Sequence, residues 1–105
     1  MKKIAVKNLD GTVEQVDLVN AFKINDINKR FVILSKGETA GEGMSKIYIS
    51  EFTEETPGVY SLIGITDDVV WNRVKQAMKE IVEGWGVKND EWSRKYIKWP
   101  SSKRS

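Results

Sequence analysis

The stretch RFVILS, residues 30–35, decides how this chain folds. Successive side chains of an extended chain point to opposite sides, so Phe31, Val32, Ile33 and Leu34 are too apolar together for a strand with one wet face. The stretch predicts a strand whose two faces both meet something.

Working outward, the neighbours also read as strands. Upstream, KIAVKNL and TVEQVDLV flank Asp10-Gly11, a pair that readily takes the positive φ values of a tight turn, and predict a hairpin. AFKIN follows, with Phe22 and Ile24 in alternation, and NDINK is a turn. Downstream, SKIYISEF and GVYSLIGI are two further strands, joined by TEETP and Gly58, where Pro57-Gly58 suits a turn. Then TDDVVWNRVKQAMKEIVEGWG changes period. At 100° per residue, Val70, Val74, Ala77, Met78, Ile81 and Trp85 share one face, widened by Trp71 and Val82, which predicts an amphipathic helix. Thr66 or Asp67 caps it, and Gly84 or Gly86 ends it. The Trp-bearing stripe is core packing rather than a ligand box.

These elements predict an α+β fold: an antiparallel sheet of four to five strands, one C-terminal amphipathic helix packed on one face, and a short helical or extended basic aromatic tail. Residues 1–88 form the sheet-plus-helix domain and 89–105 the C-terminal extension. Alternation places Phe31/Ile33, Ile47/Ile49 and Ile63/Ile65 on one sheet face. Val32/Leu34, Tyr48/Phe52 and Tyr60/Leu62 fall on the other. A single helix covers only the first. The N-terminal hairpin, the tail or a partner molecule must cover the second, because so large an apolar patch does not stand bare.

The tail WSRKYIKWPSSKRS, residues 92–105, gathers three large aromatics and five cations. Residues 1–87 carry eleven Lys/Arg against thirteen Asp/Glu, and residues 88–105 carry six against two. Such asymmetry marks an interaction tail. Asn89-Asp90-Glu91 reads as a helix start and Pro100 as a stop, so Trp92, Tyr96 and Trp99 fall on one helical stripe. A helix of about ten residues needs something to dock on. Either the aromatics pack on the chain's own body or they dock on another molecule.

Much chemistry is excluded. The chain has no Cys and no His, which removes disulfides, thiolate nucleophiles, the commonest general base and the commonest transition-metal ligands. No cofactor and no metal is expected. Glu54-Glu55 and Asp67-Asp68 are adjacent acids suited to solvation and capping rather than to catalysis. The glycine-bearing SKGETAGEGMSK, residues 35–46, lacks phosphate-loop spacing, is followed by a strand, and carries Glu38 and Glu42; it reads as a flexible loop between strands. No apolar run approaches the roughly 20 residues that span a bilayer, so no membrane partner is expected and the location is read as cytoplasmic.

The reading is a small non-enzymatic interaction protein that binds a larger protein assembly. Trp92, Tyr96, Trp99, Arg94, Lys98, Tyr48 and Tyr60 are its candidate contacts, since Trp, Tyr and Arg are favoured at interface hot spots. The alternative is nucleic-acid binding through Arg94, Lys95, Lys98, Lys103 and Arg104, which interleave with aromatics as in single-strand binders. Exposed strand edges leave pairing with a second copy open.

Residues 17–83 carry a resemblance. AFKINDINKRFVIL, then KIYISEF, then VYSLIGITDDVVWNRVKQAMKEIV resembles the YrzB-like family of small domains of unknown function from bacteria and their phages. Thr66-Asp67-Asp68 with Trp71 matches its acidic step into a Trp-bearing helix. The resemblance implies a sheet-plus-helix fold and no enzyme activity, and brings no catalytic residues. The chain departs from that pattern in its charge balance, its longer 35–46 segment and its basic aromatic extension.

Overall fold

The hairpin at the N-terminus forms where Asp10-Gly11 predicts it. In the computed structural model, which describes residues 2–41, 43–82 and 96–100, β1 (Lys2–Lys7) runs antiparallel to β2 (Val13–Ile24). Gly11 takes φ +89°. Asp10 Oδ1 locks the turn by accepting from the Thr12 amide at 3.0 Å and the Thr12 hydroxyl at 2.6 Å. TVEQVDLV and AFKIN are one strand rather than two, with a bulge between Leu18 and Asn20 that bends it. The turn after β2 sets Asn28 at φ +53°, a conformation Asn tolerates.

Next come β3 (Lys29–Ser35), β4 (Thr39–Gly41), β5 (Met44–Thr56), β6 (Val59–Gly64), α1 (Asp68–Val82) and β7 (Ile97–Pro100). The sheet path is β3-β2-β1-β6-β5-β4, with β7 also on β5 and a further pairing of β3 with β5. That last pairing closes β1, β2, β3, β5 and β6 into a ring. Consecutive antiparallel strands alternate direction, so a ring of five cannot be antiparallel throughout. The odd seam falls between β1 and β6, which are parallel, Val6 opposite Tyr60.

This overturns the expected antiparallel sheet of four to five strands followed by a C-terminal helix. The described residues form seven strands in a mixed sheet, and a strand follows the helix. Two strands escaped because β4 is three residues long inside a glycine-bearing stretch, and because the tail's aromatic spacing imitates a helix. The segment 35–46, expected as a loop, is in part the β4–β5 hairpin.

RFVILS behaves as its composition demands: Phe31, Val32, Ile33 and Leu34 are all fully buried. Phe31 and Ile33 face α1, in a core with Ile47, Trp71, Val74 and Met78. Val32 and Leu34 point into the ring, against Ile4, Val6, Val16 and Phe52. The N-terminal hairpin thus covers the second face. Ile63 leaves its expected face. Glu51 pairs with Gly64 and Phe52 with Leu62, so Ile63 is the extra residue of a bulge and stands 42% exposed, while Ile65 stays in the helix-side core.

Asp67 caps α1: its Oδ1 accepts from the amides of Val69 at 2.8 Å and Val70 at 3.3 Å. Arg73 ties the helix to the β2–β3 turn through two 2.8 Å hydrogen bonds from its guanidinium to the Asp26 carboxylate. The Arg73 bonds hold the Asp26 carboxyl below its ordinary range.

Candidate functional site

β5 is long enough to serve two structures. Its later half lies in the ring between β3 and β6, and Met44–Ile47 lies between β4 and β7. Alternation along the earlier half sends Ser45 and Ile47 towards α1, where both are buried, and Lys46 and Tyr48 to the other side. β7 repeats the pattern. Ile97, fully buried, pairs with Ile47, and Lys98 pairs with Lys46.

On that other side Tyr48 and Tyr96 meet edge to face, with ring centroids 6.4 Å apart. Lys36 Nζ stands 5.0 Å from the centre of the Tyr48 ring and Lys46 Nζ 4.7 Å from that of Tyr96, so each ring carries an ammonium. The Tyr48 hydroxyl donates to Glu38. Burial, and then that carboxylate, push the Tyr48 phenol up to about 12, so at neutral pH it is a fixed donor. Lys36 also pairs with Glu14 at 3.3 Å. Glu14 accepts from Asn8 Nδ2 at 2.6 Å, the main reason its carboxyl lies below the ordinary range.

Beside Tyr48 a cleft of about 390 Å³ opens between the β1–β2 turn and β5, with Leu9, Leu34, Lys36, Ser50 and Leu62 in its walls. Leu9 is 78% exposed. Gly64, at φ +81°, donates its amide to Ser50 Oγ at 2.8 Å on the cleft floor.

Of the candidate contacts, the structure brings together Tyr48, Tyr96 and Lys98. Tyr60 is not with them. It packs on Phe52, ring centroids 4.9 Å apart, further along β5, where Arg30 stands 5.0 Å over the Phe52 ring. Trp99 is placed by its backbone alone, opposite Ser45. Ile97–Pro100 is extended, so the part of the expected helical stripe that holds Trp99 is strand. Trp92, Arg94, Lys95, Lys103 and Arg104 lie outside the described residues. Lys36, Lys46 and Leu9 were missed. Their signal was present: Lys46 is two residues from Tyr48, and a strand at that point puts both on one face.

Among the described residues no group of three or more carboxylates is placed to hold a metal, and no helix is long and apolar enough to cross a membrane. What the arrangement offers is recognition: half-buried phenols, ammonium groups and an apolar cleft on a closed β scaffold. The fold defines a small β-rich domain. Residues 10–83 match the family described as protein of unknown function (DUF1292), and the chain belongs to that family. No curated protein and no solved structure matches the chain.

Proposed function

We propose that this chain is a small non-enzymatic interaction protein, a bacterial or phage accessory factor of the YrzB-like kind, that acts in the cytoplasm by binding a larger protein assembly. The surface is the one where Tyr48, Tyr96, Lys36, Lys46 and Lys98 gather beside the Leu9 cleft. One observation carries the reading: two tyrosines in edge contact each lie under an ammonium, and one of them, Tyr48, lines an apolar cleft, which is the mixture of aromatic anchor and polar rim that protein interfaces use. The hairpin covers most of the second sheet face, and Tyr48 and Leu62 are the part of it that borders the cleft.

A protein partner fits better than nucleic acid. The ring faces that would stack on bases are occupied by Lys36 and Lys46, and Glu14 and Glu38 sit among the cations. The test uses the full chain as bait in extract from the cells that make it, against Tyr48→Ala/Tyr96→Ala. Truncating one aromatic hot spot costs about 2 kcal/mol or more, roughly thirtyfold in affinity. A protein retained by the parent and lost by the variant is the expected result. Equal retention by both removes this surface. Capture of oligonucleotides instead, steeply weakened by salt, assigns the chain to nucleic acid.

A further inference from the structure

The β5–β7 contact has an unfavourable feature at its centre. Lys46 and Lys98 face each other across the antiparallel ladder, and like charges directly opposite weaken a strand pair. Among the described residues neither ammonium has an ion-pair partner. The rest of the contact suits a strand well. Met44–Ile47 offers its backbone edge to four partners in register. Ile97 enters the helix-side core beside Ile47, and Tyr96 lies between Tyr48 and Lys46. The family-matched residues 10–83 hold the whole accepting edge, and β7 lies beyond them.

We propose that the Met44–Ile47 edge of β5 is a strand-accepting site for a partner protein whose docking strand reads aromatic–aliphatic–acidic, and that β7 is the chain's own tethered occupant of it. The chemistry of the incoming strand is read from the occupant. An aromatic stands for Tyr96 under Lys46, and a β-branched aliphatic stands for Ile97. An acid replaces Lys98 and turns the opposed ammonium pair into an ion pair. Strand addition of this kind takes affinity from main-chain hydrogen bonds and specificity from alternate side chains. Because β7 belongs to the same chain, a partner displaces it only by pairing better, and the acid supplies that advantage. The inference rests on the reading of the chain as a protein-binding domain and names the occupant of part of its surface.

The test measures binding of fluorescent peptides copying residues 95–101, with either Lys or Glu at position 98, to the full chain, by anisotropy. The Glu peptide is expected to bind about fivefold tighter than the Lys peptide, the value of replacing a repulsive cross-strand pair by an attractive one. Lys46→Glu should reverse that order. Ile97→Ala, which loosens the chain's own β7, should tighten both peptides, and Lys98→Glu in the chain should weaken both by holding β7 in place. If Ile97→Ala unfolds the protein, Tyr96→Ala loosens β7 without opening the core. Equal binding of both peptides, or preference for Lys, would mean that the groove serves a second copy's β7, and the acidic partner is wrong. No binding to any variant shows that the edge is closed to outside strands. A bait experiment that still retains a protein through Tyr48 then leaves the broader reading standing.

Discussion

The two halves of β5 have the same neighbours in number and differ in what those neighbours are. From Tyr48 to Thr56 the strand is held by β3 and β6, which are themselves locked into the ring. From Met44 to Ile47 it is held by β4, three residues long, and β7, four residues long. Each member of the ring half is buttressed on both edges, so opening it means opening the ring. The outer half opens when one short terminal strand leaves. Stability is therefore unevenly distributed along a single strand, and the surface proposed for binding straddles the change, with Tyr48 at the edge of the strong half and Lys46 in the weak one.

The largest expected effect probes the strong half. Phe31, fully buried and stacked on Phe22 at 5.5 Å, serves the core beneath the whole of β3 and β5. Phe31→Ala should cost about 3–5 kcal/mol in urea denaturation. Ile97→Ala probes the weak half and should cost about 2 kcal/mol, at the low end for such a truncation because β7 can leave without the ring. In that variant amide exchange should rise at Ser45–Ile47 and stay slow at Val32 and Leu34. Equal losses, or exchange rising everywhere, would erase the distinction between the halves. Next, Asp67→Ala removes the α1 cap and should cost about 1 kcal/mol, with the ring amides unchanged.

Two titrations are smaller still. Tyr48 has its phenol raised from 10.0 to about 12, so its protonated form stabilises the fold below pH 10, and that contribution disappears as pH climbs through about 12. Ultraviolet absorbance should show a phenolate step near pH 12 that Tyr48→Phe abolishes. Asp26, lowered from 3.8 by Arg73, works in the opposite sense. Its contribution is present above pH 3.8 and is lost as pH falls below that value. Acid unfolding should show a shallower slope there in Asp26→Asn; an unchanged slope would mean that the Arg73 clip does not hold α1.

Much of this was legible in the chain of letters, for reasons that also explain the rest. Four buried residues in a row at 31–34 demanded two covered faces, and both exist. Alternation placed Tyr48, Phe52, Tyr60 and Leu62 in the ring cluster because a strand's period is fixed by its backbone. The same rule failed at Ile63, where a bulge makes it the extra residue and turns it out to solvent, while Ile65 keeps its expected face. No periodicity reports which strands meet, so the β1–β6 seam was invisible. The tail was left between helix and extended chain because Trp92, Tyr96 and Trp99 fit a helical stripe, while Tyr96, Ile97 and Lys98 alone fit a strand equally well; Ile97–Pro100 is extended. Over so short a stretch the docking surface decides. The site was half legible. Tyr48, Tyr96 and Lys98 were named from residue type, but their grouping with Lys36, Lys46 and Leu9 depends on the β4–β5 hairpin, whose glycines read as a loop.

The parallel seam also sets an order of assembly. β1 leaves the ribosome before the other described strands and can zip to β2 at once, since their turn is local. Its other edge must wait for β6, because Ala5 meets Val59. Until synthesis passes Gly64 the ring is an open sheet, with Ile4, Val6 and Val16 on a face that has nothing above it. Closing it joins distant parts of the chain, and such contacts are slow because loop entropy is lost before they form. The nascent protein therefore passes through a stage with a bare apolar face and an unpaired edge, and that stage is the one most exposed to aggregation and to chaperone capture.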